Sequence, residues 1–444
     1  MRIREIRIKN FKGFEDKVIE FKDNLTVVIG NNTAGKTTLL KALQVGLGAY
    51  LQCLGNLPAW PQFRRNFGSL DEYKAFDPVL RDYIPNKEHP RITLSADYFL
   101  TDKVYDGVPE LIPTPVSWYR EYVGNHTTHS KACAGELMAL VQKMEARRND
   151  AHESSVYPLV LSFGAKRTED AQVRTATKIK ERSSRIEKAY KFALHDKVDF
   201  KSAMEWLQHY DKDIRDKKEF EGTRDAFFEA LQTAMPALSE IDFDNGEIEA
   251  VVEVSGHKPT RHHFSYMSDG LQSMINIVSE IAHRCIELNG FLGKNAVRNT
   301  PGVVMIDEID LYLHPHWQRH VLQDLTKAFP MIQFIVSTHS PFIVQSLKKD
   351  QLVSFDDGVL VAGEPFKESL EDIASLRMGL EQKLRSKRFN EMVTCAEEYY
   401  RLVKEGTAGT NVAEKIKRRL DEIESEFSDD PAYVALLKAE GGRI

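Results

Sequence analysis

Cysteine is scarce in this chain and nowhere clustered. Cys53, Cys133, Cys285 and Cys395 are the only four in 444 residues. Their spacing frames neither a metal cluster nor a disulfide scaffold, and it fits a reducing compartment, so a cytoplasmic location is expected. Long apolar runs are missing too. No stretch reaches the roughly 18 residues that would read as a membrane span. The opening Met1-Arg2-Ile3-Arg4-Glu5 has charge where a secretion signal needs an apolar core. Charge of one sign is also short: 60 Lys and Arg against 66 Asp and Glu leave a net −6. That balance argues against holding nucleic acid through bulk charge, while a local basic face stays possible. The 42% hydrophobic and 28% charged residues are ordinary for a soluble globular protein, and the length suits about two or three domains.

Against this plain background one stretch stands out: Gly30-Asn31-Asn32-Thr33-Ala34-Gly35-Lys36-Thr37-Thr38. It reads G-x-x-x-x-G-K-[ST], a phosphate-cradling loop. The β-branched run Leu25 to Ile29 before it predicts a buried strand, and Thr38 to Leu47 after it predicts a helix with Leu39, Leu40, Ala42 and Leu43 inward. Glycines let the backbone turn its N–H groups toward an anion, and the helix start adds partial positive charge. Lys36 is expected on the β- and γ-phosphates of ATP, and Thr37 on Mg2+.

Around that loop, Ile3, Ile6 and Ile8 alternate with Arg4, Arg7 and Lys9 as a strand, and Val18 to Phe21 leads a second. Leu51 to His89 is irregular. Arg91 to Leu100 and Val116 to Val123 are strand-like, Glu136 to Arg148 helical, and Tyr157 to Phe163 a strand. Residues 166 to 191 are basic through Lys166, Arg167, Arg174, Lys178, Lys180, Arg182, Arg185, Lys188 and Lys191. They form either a solvated helical face or a contact for nucleic acid or an acidic partner. Two helices follow over 200–235, anchored by Met204, Leu207, Phe220, Phe227 and Leu231, then strands at Ile241 to Phe243 and Ile248 to Val254.

A second set of motifs lies further on. Ser268 is positioned to cap a helix whose Leu271, Met274, Ile275, Val278, Ile281, Ala282 and Cys285 fall on one face. Val303 to Ile306 is a buried strand running into Asp307 and Glu308, acids at the ligand edge of a parallel sheet. Asp307 is expected to hold Mg2+ and Glu308 to act as the general base on the attacking water. A helix is expected over Trp317 to Phe329, then a strand at Ile332 to Ser337. His339 follows that neighbouring strand, where an imidazole can meet the γ-phosphate or position water. Val359 to Ala362 reads as a last strand. The tail reads as a helical hairpin, with Phe389, Met392, Val393, Ala396, Tyr400 and Val403 facing Val412, Ile416, Leu420, Ile423 and Phe427, plus a short helix from Pro431 to Glu440.

Taken in order, these segments resemble an ABC-type ATPase head of the RecF, SMC and OLD-like class. Gly30 to Thr38 resembles Walker A, Met267 to Gln272 the signature motif, Val303 to Glu308 Walker B, Asp310 to His314 the D-loop, and His339 the switch histidine. The opening Ile6 to Phe14 is similar to that class as well. The resemblance covers residues 1 to about 65 and about 240 to 360. It departs at Ser268-Asp269-Gly270, where transporters carry Ser-Gly-Gly, and at Lys12, where many relatives carry arginine. No glutamine closely follows the 158–163 strand; Lys166 and Arg167 occupy the region of a Q-loop.

The resemblance implies an α/β fold: an ABC-type P-loop ATPase head with a helical insertion and a C-terminal helical hairpin. A first lobe would span residues 1–130, a helical insertion 131–240 containing a lobe strand near 157–163, a second lobe 241–365 and the tail 366–444. Heads of this class pair face to face, so ATP and Mg2+ would lie between the P-loop of one chain and Ser268, Asp269 and Gly270 of another, with Lys12 a further nucleotide contact. The chain after Ala362 is too short for the Toprim nuclease of OLD-type proteins, and neither an H-N-H order nor a second carboxylate cluster stands out. The layout resembles the PtuA ATPases of Septu anti-phage systems. That implies an ATPase that is not itself a nuclease, forms homo-oligomers, and governs a separate HNH-type nuclease. A RecF-like repair ATPase that binds DNA directly and an ATPase partner of a Toprim effector, as in PARIS systems, remain as alternatives.

Overall fold

The computed structural model describes residues 1–86, 88–124, 126–149, 155–165, 184–196, 201–244, 246–253, 258–356, 363–379, 387–407 and 409–424. Two units emerge, Met1–Ile373 and Ala374–Ile444.

The first unit carries two large sheets. The antiparallel one begins with β1 (Arg2–Phe11) and β2 (Phe14–Glu20). Alternation of β1 sends Ile6 and Ile8 into the core, and a register shift between Ile3 and Glu5 brings Ile3 to the same side, all three with no exposed surface. After β3 (Leu25–Ile29) and α1 (Lys36–Cys53), a small hairpin of β4 (Lys74–Asp77) and β5 (Asp82–Pro85) interrupts the irregular stretch. The sheet is completed by β6 (Arg91–Tyr105), β7 (Val108–Val123) and the short β8 (His126–Thr127), in the order β2-β1-β6-β7-β8. The β6–β7 ribbon runs well beyond the two short strands expected. Asp106 and Gly107, at φ 48° and 73°, make its two-residue turn, the Asp-Gly hairpin signal. Pro109, Pro113 and Pro115 mask the strand pattern of β7, and they are tolerated because, among the described residues, most of its outer edge is unpaired.

The second sheet is parallel. After α2 (Lys131–Asn149) come β9 (Leu159–Phe163), α3 (Arg185–Tyr190), α4 (Lys201–Arg215) and α5 (Thr223–Ala234). A separate three-stranded sheet, β10 (Leu238–Asp244), β11 (Glu247–Val252) and β12 (Thr260–His263), leads into α6 (Asp269–Asn289). Then follow β13 (Gly302–Ile306), α7 (Pro315–Gln318), α8 (Val321–Ala328), β14 (Ile332–Ser337), α9 (Pro341–Gln345) and β15 (Leu352–Ser354). The parallel sheet has the order β15-β3-β14-β13-β9. Every residue of β3, β9, β13 and β14 is buried, as expected for strands covered on both faces. That order brings the carboxyl ends of β3, β14 and β13 side by side, the edge where ligands bind in such sheets.

Four expectations change in the structure. The single helix over Trp317 to Phe329 is two, because the chain tightens where the His320 N–H reaches back only to Trp317 O (3.0 Å) and restarts at Val321. Phe220 sits in the turn before α5 and is 41% exposed, whereas Phe227 and Leu231 are buried. Polar β12, which carries no strand signal in the sequence, is an edge strand that needs no apolar face of its own. In the tail unit, where a hairpin of two further helices spans Lys387–Lys404 and Asn411–Glu424, Val412 is exposed and Ala413 is buried in its place. That hairpin closes over Met392, Ala396, Leu420 and Ile423, with Arg419 pairing Glu391 at 2.6 Å. Most of the basic 166–191 segment, including Lys166 and Arg167, lies outside the described residues, as do Val359 to Ala362, Phe427 and the 431–440 helix. Among the described residues, no helix is long and apolar enough to cross a membrane.

One side chain ties the two sheets. Gln333 of β14, 1% exposed, accepts the Ile3 N–H (2.8 Å) and donates to Ile3 O and Lys22 O (2.8 Å each). Gln333→Leu would leave the two buried Ile3 groups and the part-buried Lys22 carbonyl without this partner, at a cost of about 2–4 kcal/mol. The expected outcome is a lower urea midpoint with an unchanged slope.

Candidate active site

The loop after β3 turns through left-handed conformations at Thr33 (φ 80°) and Gly35 (φ 106°). Gly35 is confined as well as twisted: a Cβ there would lie 2.5 Å from the Phe14 ring. It is also the N-cap of α1, and the first helical bond, Leu39 N–H to Gly35 O, leaves the N–H groups of Lys36, Thr37 and Thr38 ahead of the ladder. The Lys36 ammonium bridges Gly30 O (2.6 Å) and Asn31 O (3.0 Å). Burial lowers its pKa, partly offset by Asp356, Asp307, Glu308 and Asp310. Asn31, Asn32 and Thr33 are exposed, and Ala34 N–H closes the loop on Asn31 O (3.1 Å). The Asn31 N–H donates to both carboxylate oxygens of Asp356, at 2.9 and 3.1 Å. Asp356 follows β15 and lacked any motif to flag it; only its place on the neighbouring strand end brings it here.

At the end of β13, Asp307 is 6% exposed and fully engaged. Its Oδ2 accepts the Thr37 hydroxyl (2.9 Å) and its Oδ1 accepts the Ser337 hydroxyl (2.5 Å). Thr37 and Asp307 therefore offer hard oxygen donors from two loops at one point, the donor chemistry that Mg2+ takes. Glu308 follows with φ 49°, its N–H on Ser337 Oγ (2.9 Å). Asp310 holds the next loop: its Oδ1 accepts Thr338 Oγ1 (2.6 Å) and the His339 N–H (3.3 Å). His339 thus stands at the end of β14, between the ends of β3 and β13.

The start of α6 meets the same loop within one chain. A Cβ on Gly270 would lie 2.5 Å from Tyr312 O, so only glycine fits this approach. Ser268 occupies the N-cap with extended backbone, but its hydroxyl makes no capping bond; the Gln272 amide ties the turn instead, on Met267 O (2.9 Å). Asp269 is exposed in the first turn. Lys12, at φ 51°, pairs with Asp71 Oδ1 (2.9 Å) and gives its N–H to Asp71 O (2.8 Å). Ser337 and Phe14 lie inside stretches that carry the resemblance but are given no role by the sequence, and Asp356 is not marked by it at all. Ser337 closes the buried β14 and Asp356 follows the half-buried β15, and strand ends carry no periodic signal.

A phosphate loop, an acid pair and a histidine on three adjacent strand ends of a parallel sheet define a P-loop ATPase of the ABC type. The chain belongs to the family described as "AAA domain, putative AbiEii toxin, Type IV TA system", which matches residues 117–345. The description "AAA ATPase domain" matches residues 1–48. The chain is 23% identical to the "Retron Ec83 probable ATPase" of Escherichia coli, over 81% of this chain and 72% of that one. It is 23% identical to the "Retron Vc95 probable ATPase" of Vibrio cholerae serotype O1 biovar El Tor, over 94% and 86%. The "Septu protein PtuA" of Bacillus thuringiensis is 32% identical over 30% of this chain and 36% of its own length. Among solved structures, an SMC head bound to the C-winged helix domain of ScpA aligns over 80% of this chain and 94% of that one, at 15% identity and a TM-score of 0.41.

Gly270→Ala would push the Tyr312 carbonyl and the loop carrying Asp310, yet spare the P-loop. ATP binding is expected to stay within about twofold of wild type by fluorescent-nucleotide titration, while turnover falls up to ~10²-fold through misplacement of the loop.

Proposed function

We propose that this protein hydrolyses ATP between two paired copies and uses the nucleotide state to govern a separate nuclease in anti-phage defence. The observation that carries the catalytic part is the Thr37–Asp307 contact, 2.9 Å between side chains 270 positions apart, which ties the P-loop to the acid pair. The N–H groups of residues 31–38 would surround the β- and γ-phosphates. Lys36 would exchange the Gly30 and Asn31 carbonyls for phosphate oxygens, a move its partial burial favours because an anion offsets the lost hydration. Thr37 and Asp307 would hold Mg2+, whose charge offsets that of the transferring phosphoryl group. Glu308 would orient and deprotonate the water, and His339 would contact the γ-phosphate from the next strand end.

The second copy enters through α6. Its first-turn N–H groups and the uncapped Ser268 hydroxyl form an outward anion site, with Gly270 giving close backbone approach. We assign these, with Asp269 beside them, to the γ-phosphate held by a partner copy, and Lys12 to a further nucleotide contact once released from Asp71. The defence role is supported by the similarity to the retron ATPases and Septu protein PtuA. The nuclease would be a separate HNH-type subunit, this chain supplying no cutting site of its own.

Glu308→Gln removes the base but keeps the shape. Turnover should fall by roughly 10²–10⁴-fold with ATP binding intact, and native mass should move from the 50.7 kDa chain to a two-chain species in ATP. An unchanged rate would overturn the assignment of Glu308. Chelating Mg2+ should stop turnover in wild type. Co-purification with the product of the adjacent reading frame tests the nuclease: a complex whose DNA or RNA cleavage follows nucleotide state supports the reading, and a lone ATPase that binds DNA with a steep salt slope replaces it.

A further inference from the structure

Ser337 has no part in the reaction as described, yet its hydroxyl lies between both acids. It closes β14, has no exposed surface, and its backbone is fixed on both sides: the Ile309 N–H donates to its carbonyl (3.1 Å), and it stands in register with Val28 of β3. The hydroxyl accepts the Glu308 N–H at 2.9 Å and lies 2.5 Å from Asp307 Oδ1. The proton direction follows from the partners. A backbone N–H only donates, so the single Ser337 proton goes to the Asp307 carboxylate. That carboxylate is thereby pinned at one oxygen, with the other turned to Thr37.

The same oxygen restrains Glu308. A glutamate at φ 49° is in the sparsely used left-handed region. Its peptide groups are held from both ends, the N–H by Ser337 Oγ and the carbonyl by the Leu311 N–H at 3.0 Å. These two bonds fix the backbone turn that carries the Glu308 side chain.

We propose that Ser337 is a positioning residue for ATP hydrolysis: one hydroxyl orients the Asp307 carboxylate for the cation and holds Glu308 in its left-handed turn. The proposal rests on the metal and base roles given above for Asp307 and Glu308. Residues one step behind a metal ligand typically change metal affinity by about 10–100-fold when removed. A serine that merely satisfied a buried N–H would affect stability and leave the cation untouched.

The full chain carrying Ser337→Ala, Ser337→Thr or Ser337→Val separates these roles. Thr and Val share a shape and differ by the hydroxyl; Ala removes the oxygen with the least risk to folding. Three readouts are needed: binding of a fluorescent ATP in EDTA, Mn2+ binding by electron paramagnetic resonance with a non-hydrolysable ATP analogue, and kcat. Ser337→Ala is expected to weaken Mn2+ binding by about tenfold or more, lower kcat at least as much, and leave EDTA binding of ATP within about twofold. Ser337→Thr should recover both losses and Ser337→Val neither. Mn2+ binding of Ser337→Ala within about twofold of wild type, or recovery by Val equal to that by Thr, overturns the proposal. The wider reading fails separately: if Glu308→Gln turns over like wild type, the base assignment falls, while Mn2+ binding still decides on Ser337.

Discussion

Asp307 is the constraint on which this structure turns. A carboxylate this deeply buried is costly unless it is fully hydrogen-bonded. Here the hydroxyls of Thr37 and Ser337, one from the P-loop helix and one from the end of β14, each supply a proton. Satisfying the charge therefore draws three strand ends to one point, and the site geometry is a by-product of that requirement. The loop beyond, through Asp310 and its bonds to Thr338 and His339, extends the same logic by one layer. Gln333 does for the two sheets what Asp307 does for the strand ends, using an amide where no charge is wanted.

The fold was legible wherever residues repeat with a period or carry a signature. The buried runs at Leu25, Leu159, Val303 and Ile332 each became a parallel strand, because a strand covered on both faces has no choice but continuous apolar sequence. The apolar face of α6 was equally plain. What escaped was decided by neighbours far away in sequence. The prolines of β7 hid a 16-residue strand whose partner alone reveals it. Ala413 rather than Val412 is buried because it, two turns before Leu420, lines up with the face that Leu420 and Ile423 already occupy.

The candidate site shows the same division. Gly35, Lys36, Thr37, Asp307 and Glu308 announce themselves by type and spacing. Gly270 was noticed as part of a motif, but the reason for glycine, a carbonyl 2.5 Å from where a Cβ would stand, exists only in three dimensions. Ser337 and Asp356 are ordinary residues made consequential by sheet order, since β15 and β14 flank β3. No local pattern carries that information.

The proline spacing in β7 has a consequence for assembly. Pro109, Pro113 and Pro115 all sit at positions facing away from β6, the side on which Glu121 instead gives its N–H to Thr128 Oγ1. A proline has no amide hydrogen, so the outer rim of this ribbon lacks donors at three places where an incoming strand would need them. The longest free rim of the antiparallel sheet is thus closed to strand addition, by sheet-mediated aggregation or by a peptide inserting edge-on. Recognition of any other chain along this face is therefore left to side chains rather than to backbone pairing.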